Sequence, residues 1–400
     1  MNKKALTIIF VTVFIDLLGF GVLIPVLPTF ASKVIKISDF QIGIVVATFS
    51  FMQFLFNPVL GRLSDKIGRK PVILASLLTT ATSYVIFAFT RSFGMLLLSR
   101  GLAGIGGSNI GVAQAYIADV TTREERSGGM GIIGAAFGLG FVFGPLLGGI
   151  LSEYGYSAIG FTSAAFSFTA LTFAVFALPE SRKKAVGKIK FTLSDFKLIE
   201  FKFLKEITKT PFVAFLMALF FIIVFSVANI YGTFALLGYK VYHFTDRQNG
   251  YLFGVMGFVS AVIQLFALKK LSLKFGERTL LLVGTLFMGF GLALLPYGGG
   301  FYGVALISAL LTLGTALLQP VVLSLISKYS PSDIQGGILG VNQSVSALAR
   351  VLGPLWGGWA FEYWGYEYPF LTGAFFTFVS FLLVFFILTN SRLEKNEEKF

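Results

Sequence analysis

Asp16, Arg100 and Arg350 are the ionisable residues that lie deep inside long apolar runs of this 400-residue chain. Charges are costly in hydrocarbon, and those that persist there usually bind, move or neutralise another charge. At about 1.5 Å per helical residue, Asp16 falls roughly 16 Å, Arg100 roughly 27 Å and Arg350 roughly 20 Å from the same end of their runs. The three could share one cavity. Asp16 is the only carboxylate among them, so it is the candidate proton carrier, loading and releasing as its neighbours change. Asp16 and Arg100 are the expected coupling pair, with a static buried ion pair as the alternative. Arg350 reads equally as a receptor for an anionic substrate group or as a partner for Asp16 or helix carbonyls.

Polar residues recur at helical spacing near these charges. Ser226, Asn229 and Thr233 share one helix face, and Thr312, Thr315 and Gln319 share another. Gln343 precedes Arg350 by two turns, and Gln114 lies on the Arg100 face. Together they predict a cavity lining, although any one stripe could serve interhelical hydrogen bonding worth about 0.6 kcal/mol. The chain has no cysteine and one histidine, His243. That excludes disulfide scaffolds, thiolate zinc sites, cysteine nucleophiles and histidine metal clusters. One intramembrane acid gives an intramembrane enzyme no second group to work with, and no Walker-type phosphate loop is present. The expectation is no enzyme, no cofactor and no metal.

The elements that must position these residues are membrane spans. The composition is 56% hydrophobic and 13% charged, with a mean hydropathy of +0.83, against about 25% charged in globular chains. Apolar runs near 20 residues, the length that crosses the hydrocarbon core, fall at 5–30, 40–60, 71–90, 93–118, 128–152, 157–178, 211–237, 249–268, 279–298, 302–327, 337–361 and 368–389. The first is too long for a signal-peptide core and reads as a retained span. Of the 32 Lys and Arg residues, 25 fall on the side of the N-terminus and five on the other. The positive-inside rule then places both termini in the cytoplasm. The net charge of +13 is topology, not a nucleic-acid surface.

The two halves repeat. VLGRLSDKIGRKP at 59–71 aligns with ALKKLSLKFGERT at 267–279, GPLLGG at 144–149 with GPLWGG at 353–358, and EYGY at 153–156 with EYWGY at 362–366. The expected organisation is a six-helix bundle at 1–179, a charged linker with an amphipathic segment at 180–209, a second six-helix bundle at 210–390 and a cytoplasmic tail at 391–400.

These residues resemble a known family. Gly61-Arg-Leu-Ser-Asp65-Lys-Ile-Gly68-Arg69-Lys70 resembles the signature loop between helices 2 and 3 of the major facilitator superfamily. Leu18-Gly19 with Pro25-Val26-Leu27-Pro28, then Arg100 with Gly104, Gly106 and Gly107, are similar to motifs of its twelve-span drug:proton antiporters. Gly134, Gly138, Gly144-Pro145 and Gly148-Gly149 resemble the helix 5 antiporter motif. The resemblance spans the chain and points to the tetracycline and multidrug efflux branch. It implies an all-α membrane protein of twelve helices in two pseudo-symmetric bundles. It further implies that Asp65, Arg69 and Asp119 form a gating cluster, with Asp65 near the start of helix 11. Gly61 and Gly68 would supply tight turns in the loop, while Gly140, Gly144 and Gly148, four residues apart beside Pro145, would form a close helix seam.

Helices 3 and 9 lack the carboxylates usual in tetracycline exporters, Ser83 being the nearest equivalent, and Ala103 replaces a usual glutamine. The expected function is proton-coupled efflux of lipophilic drug-like compounds by a monomer in a bacterial-type inner membrane. Its partners would be a small-molecule substrate, protons and the lipid bilayer, with no nucleic acid. The alternative is proton-coupled uptake or exchange of a small organic anion through the intramembrane arginines.

Overall fold

A computed structural model describes residues 3–122, 126–181, 211–330 and 335–389. The amphipathic segment expected in the linker and the tail at 391–400 lie outside them. The helices are α1 (Lys3–Leu23), α2 (Leu27–Phe30), α3 (Asp39–Ile67), α4 (Arg69–Ala88), α5 (Phe93–Gly106), α6 (Asn109–Val120), α7 (Arg126–Leu151) and α8 (Tyr156–Ala177). They continue as α9 (Pro211–Lys240), α10 (Asp246–Val262), α11 (Leu268–Leu294), α12 (Phe301–Tyr329), α13 (Gln335–Tyr363) and α14 (Tyr368–Thr389).

Every expected span falls on helix. Among the described residues nine segments are long and apolar enough to cross a membrane, one of them, Asp246–Tyr297, carrying two spans. The fourth span is broken rather than continuous. It ends as α5 at Gly106 and restarts as α6 at Asn109, because Gly106-Gly107 is a weak helical stretch and the Gly107 carbonyl instead accepts the Gln53 side-chain amide at 2.9 Å. Start signals are local. Ser38 and Gln41 form a capping box at α3, Ser92 accepts from the Met95 amide at α5, and Thr245 with Gln248 does the same work at α10.

The repeat survives in the backbone. Gly68 has φ +103° and its counterpart Gly276 has +79°; Gly155 and Gly365, the glycines of EYGY and EYWGY, have +95° and +128°. Pro145 and Pro354 both lie inside their helices. These conformations favour glycine, so the sequence repeat marks where each half must turn.

Gly61 departs from expectation. The segment is not a loop with two tight turns: α3 runs on to Ile67 and only Gly68 breaks it. Gly61 is helical, its carbonyl accepts from Ser64 Oγ at 2.6 Å, and a Cβ there would meet nothing within 4 Å. Gly68→Ala is therefore expected to destabilise the protein by about 1–3 kcal/mol through backbone strain. Gly61→Ala should be neutral or slightly stabilising. Thermal unfolding of the two variants in one detergent checks the contrast, and equal melting temperatures would refute it.

The chain forms two compact units, Met1–Ile199 with Tyr231–Gly257, and Glu200–Ile230 with Phe258–Phe400. In the first, α1 is central: Leu6, Ile9, Val13 and Leu17 pack with Ile73 and Leu77 of α4, Tyr116 and Ile117 of α6, and Ala170 and Ala174 of α8. In the second, α11 packs against α12 and α14. Large apolar side chains such as Phe176, Phe258 and Phe386 stay exposed, as a surface bathed in hydrocarbon requires.

Candidate functional site

Asp16 sits on α1 at the middle of the first unit and is buried. Its carboxylate accepts from Asn109 Nδ2 at 3.1 Å and from Ser167 Oγ at 3.0 Å. Asn109 is the first residue of α6, so the helix break is what brings it, and the positive end of a half-helix, to the aspartate. Gly19 makes room on the next turn, where a Cβ would lie 3.4 Å from the Tyr84 ring and 3.5 Å from Ser167 Oγ. Tyr84, also buried, lies within electrostatic reach of both Asp16 and Arg100.

Arg100 does not pair with Asp16, which overturns the reading of a static ion pair between them. Its guanidinium is buried and rests 4.9 Å over the Phe49 ring. Nε and Nη1 have no hydrogen-bond partner. Asn109 and Ser167 occupy the place beside Asp16 that was expected of the arginine. They lie 93 and 151 residues from Asp16, and nothing in either local sequence marks them as ligands of an acid.

At the end of this unit rich in Lys and Arg, the expected cluster is assembled. Arg69 Nη2 meets Asp65 at 2.9 Å and Nε meets Asp119 at 3.0 Å, while Nη1 donates to Ser64 Oγ at 2.6 Å. Glu180 completes it by accepting from the backbone amides of Arg69 and Lys70 at 2.9 and 3.1 Å. It caps α4, whose N-terminal amides have no intrahelical partner. Ser181 Oγ adds a bond to Asp119 at 3.1 Å. The missed signal was an acid immediately after the sixth apolar run.

The helix 5 glycines do form a seam. A Cβ on Gly140 would lie 2.9 Å from Leu17 Cβ and one on Gly144 only 2.6 Å from Gly21 Cα, while one on Gly148 would collide with the Val22 carbonyl oxygen. The other edge of α7 meets α10: a Cβ on Gly250 would fall 2.6 Å from the Pro145 oxygen and one on Gly257 2.6 Å from that of Phe141. Gly144→Ala is expected to cost about 1–3 kcal/mol by overpacking, whereas Gly134→Ala, with nothing within 4 Å of its Cβ, should cost nothing measurable. Detergent melting curves separate the two.

Beyond this seam, at the end opposite the Arg69 cluster, Lys240 Nζ meets both oxygens of Asp39 at 2.6 and 2.8 Å. Lys33 Nζ lies 3.9 Å from Asp246, which accepts from the Tyr156 hydroxyl at 2.8 Å. Arg247 meets Glu153 at 2.9 Å. KVIKISDFQ at 33–41 and KVYHFTDRQ at 240–248 are a further repeat. The lysine of each copy pairs with the aspartate of the other.

The model for the Major Facilitator Superfamily matches residues 9–269 and 228–400. The chain belongs to the Major Facilitator Superfamily. It is 30% identical over 380 residues to multidrug resistance protein 2 of Bacillus subtilis, covering 94% of this chain and 92% of that one. To the class C tetracycline resistance protein of Escherichia coli it is 31% identical, covering 88% and 89%. The crystal structure of the human organic anion transporter MFSD10 matches with a TM-score of 0.71 at 26% identity over 96% of this chain and 99% of that one. The protein is a membrane transporter of the tetracycline and multidrug efflux branch, not an enzyme, and its substrate is a small molecule.

The remaining polar stripes of this superfamily member divide by burial. Ser226, Asn229 and Thr233 are buried, and Asn229 Nδ2 donates to the Pro369 carbonyl at 2.6 Å, the interhelical role weighed against a cavity lining. Thr312 is buried, with its hydroxyl bonded to the Ser308 carbonyl at 2.8 Å, while Thr315 and Gln319 are half-buried and Gln114 and Gln343 exposed. Arg350, in the second unit, is half-buried and donates to Ser346 Oγ at 2.7 Å. Its buried polar companions on α13 are Ser346 and Asn342, four and eight residues back, rather than Gln343. Both Asn342 amide atoms lack hydrogen-bond partners.

Proposed function

We propose that this transporter exports lipophilic drug-like compounds in exchange for protons, by alternating access, with Asp16 as the proton carrier. The observation that carries this reading is the environment of Asp16. It is a buried intramembrane carboxylate held by two neutral donors and not locked against a cation. A fixed ion pair would hold one charge state, whereas neutral donors allow the group to load and release. The multidrug and tetracycline resistance relatives support export. The split of 25 basic residues to five supports cytoplasmic termini in a bacterial-type inner membrane, with the Arg69 cluster as the cytoplasmic gate and the Asp39–Lys240 end outside. We infer a monomer with two six-helix halves at 1–179 and 210–390, whose cavity is lined in part by Gln114, Thr315, Gln319 and Arg350.

A second reading, transport of an organic anion, draws on Arg100 and on the relative named as a human organic anion transporter. A flux screen in proteoliposomes under an imposed pH gradient tests the main reading, with lipophilic cations, neutral compounds and organic anions as probes. Gradient-dependent flux of at least one class is expected. If no class responds to the gradient, the proton-coupled reading fails.

A further inference from the structure

At the end of the first unit opposite the Arg69 cluster, a recess of about 400 Å³ opens beside the cross-paired segments, within the size range of small-molecule sites. Its charged and titratable lining is Lys33, Glu153, His243, Asp246 and Arg247, with Tyr239 on one wall. Each acid there already faces a cation. Arg247 meets Glu153 at 2.9 Å, and Lys33 Nζ lies 3.9 Å from Asp246 Oδ1. The second distance balances charge but is too long for a hydrogen bond. Asp246 is more than nine-tenths buried, its Oδ2 accepts from Tyr156, and its Oδ1 has no hydrogen-bond partner. A buried carboxylate oxygen without a donor is costly.

A group that fits between Lys33 and Asp246 must accept from the ammonium and donate to the carboxylate. An ammonium cannot accept, and a carboxylate cannot donate. Each would also set a like charge beside one member of the pair. A hydroxyl does both and carries no charge. The Arg247–Glu153 pair offers a second set of donors and acceptors on half-exposed side chains, which suits a compound with several hydroxyls. The walls are preformed. The Tyr239 ring centroid lies 4.2 Å from Lys33 Nζ and fixes its place. The amides of Tyr242 and Phe244 donate to the carbonyls of Leu237 and Gly238 at 3.2 and 2.7 Å, so binding has little left to order.

We propose that this recess binds a small neutral polyhydroxylated compound, a sugar or polyol, with one hydroxyl bridging Lys33 and Asp246. Lys33 and Glu153 belong to the first sequence repeat, Asp246 and Arg247 to the second. On the alternating-access reading above, occupancy therefore holds the outer end closed and slows transport; the binding itself does not depend on that reading.

The test uses the full chain in nanodiscs with glucose, its aminodeoxy analogue and glucuronate, which differ only at the last carbon as hydroxyl, ammonium and carboxylate. Saturation-transfer NMR should rank glucose first and the charged sugars about threefold or more weaker, the scale of one partly exposed like-charge contact. Lys33→Met should reverse the order, because the amino sugar then pairs with Asp246 and overtakes glucose. Gradient-driven flux in proteoliposomes should fall as glucose fills the recess from the outer side, with the half-saturation of binding. The proposal is overturned if glucose does not bind, which would leave the gap to water alone. It is equally overturned if either charged sugar binds as well as glucose, or if folded Lys33→Met keeps the wild-type order. Should that variant not fold, the ranking on the unaltered protein decides. Binding without slower flux would overturn the effect on the outer end. Binding in the expected order with no gradient-driven flux of any compound would sink the exporter and leave the site. Flux with no sugar binding would do the reverse.

Discussion

Asp16→Asn is expected to reduce pH-driven transport to the level of protein-free vesicles while leaving the protein folded and monodisperse. The two side chains have nearly the same shape, and Ser167 can still donate to the asparagine oxygen as it does to Oδ1 at 3.0 Å. The asparagine nitrogen can donate to the Asn109 carbonyl oxygen once that amide turns over. What is lost is the ability to bind a proton. Gradient-driven uptake into inverted proteoliposomes measures coupling, and exchange of labelled for unlabelled substrate at equal pH measures the conformational cycle alone. Coupling should vanish and exchange persist. Undiminished gradient-driven flux would remove Asp16 from the mechanism. Asn109→Ala should weaken coupling with smaller loss of exchange, because it releases the link between the aspartate and the broken fourth span.

The helices and the duplication were legible because they are local or periodic. Each span is a run of apolar residues, and each turn glycine stands at a repeated place, as Gly68 and Gly276 do. The charge cluster around Arg69 was legible through family resemblance, apart from Glu180 and the helical state of Gly61. The centre was less so. Depth along a helix put Asp16 and Arg100 within reach of one cavity, but depth does not fix azimuth or partner. A two-residue break at 107–108 turned Asn109 toward the aspartate and left the arginine over Phe49. Likewise, spacing by seven drew attention to Gln343, whereas spacing by four and eight picks out the buried Ser346 and Asn342. One sequence gives the period of a helix but not which of two adjacent stripes faces inward.

The second large effect is expected at the far end, where the duplicated K-x5-D segments cross-pair. Asp39 is nearly buried at 9% side-chain exposure and Lys240 is 38% exposed, so the pair is half desolvated. Breaking a fully buried pair costs about 3–5 kcal/mol. With water reaching the lysine, the loss is discounted to about 1–2 kcal/mol, a factor of roughly 5–30 in an equilibrium between closed and open forms of this end. Lys240→Asp places two carboxylates together and should favour the open form by at least that factor. Asp39→Lys should do the same with two ammonium groups. Combining them restores opposite charges, in reversed order, and should recover closure.

The chain has no cysteine, so a cysteine pair introduced at Ser152 and His243, which line one recess there, reports closure by disulfide formation without background. Cross-linking should be fast in the parent, slow in each single reversal and fast again in the double. A double reversal as slow as the singles would mean that the site tolerates only its native arrangement, and the pair would lose its role as a latch. The companion contact, Lys33 to Asp246 at 3.9 Å, shares its acid with Tyr156. Its reversal should move the same measurement less, because a longer contact to an already bonded carboxylate has less electrostatic attraction to lose.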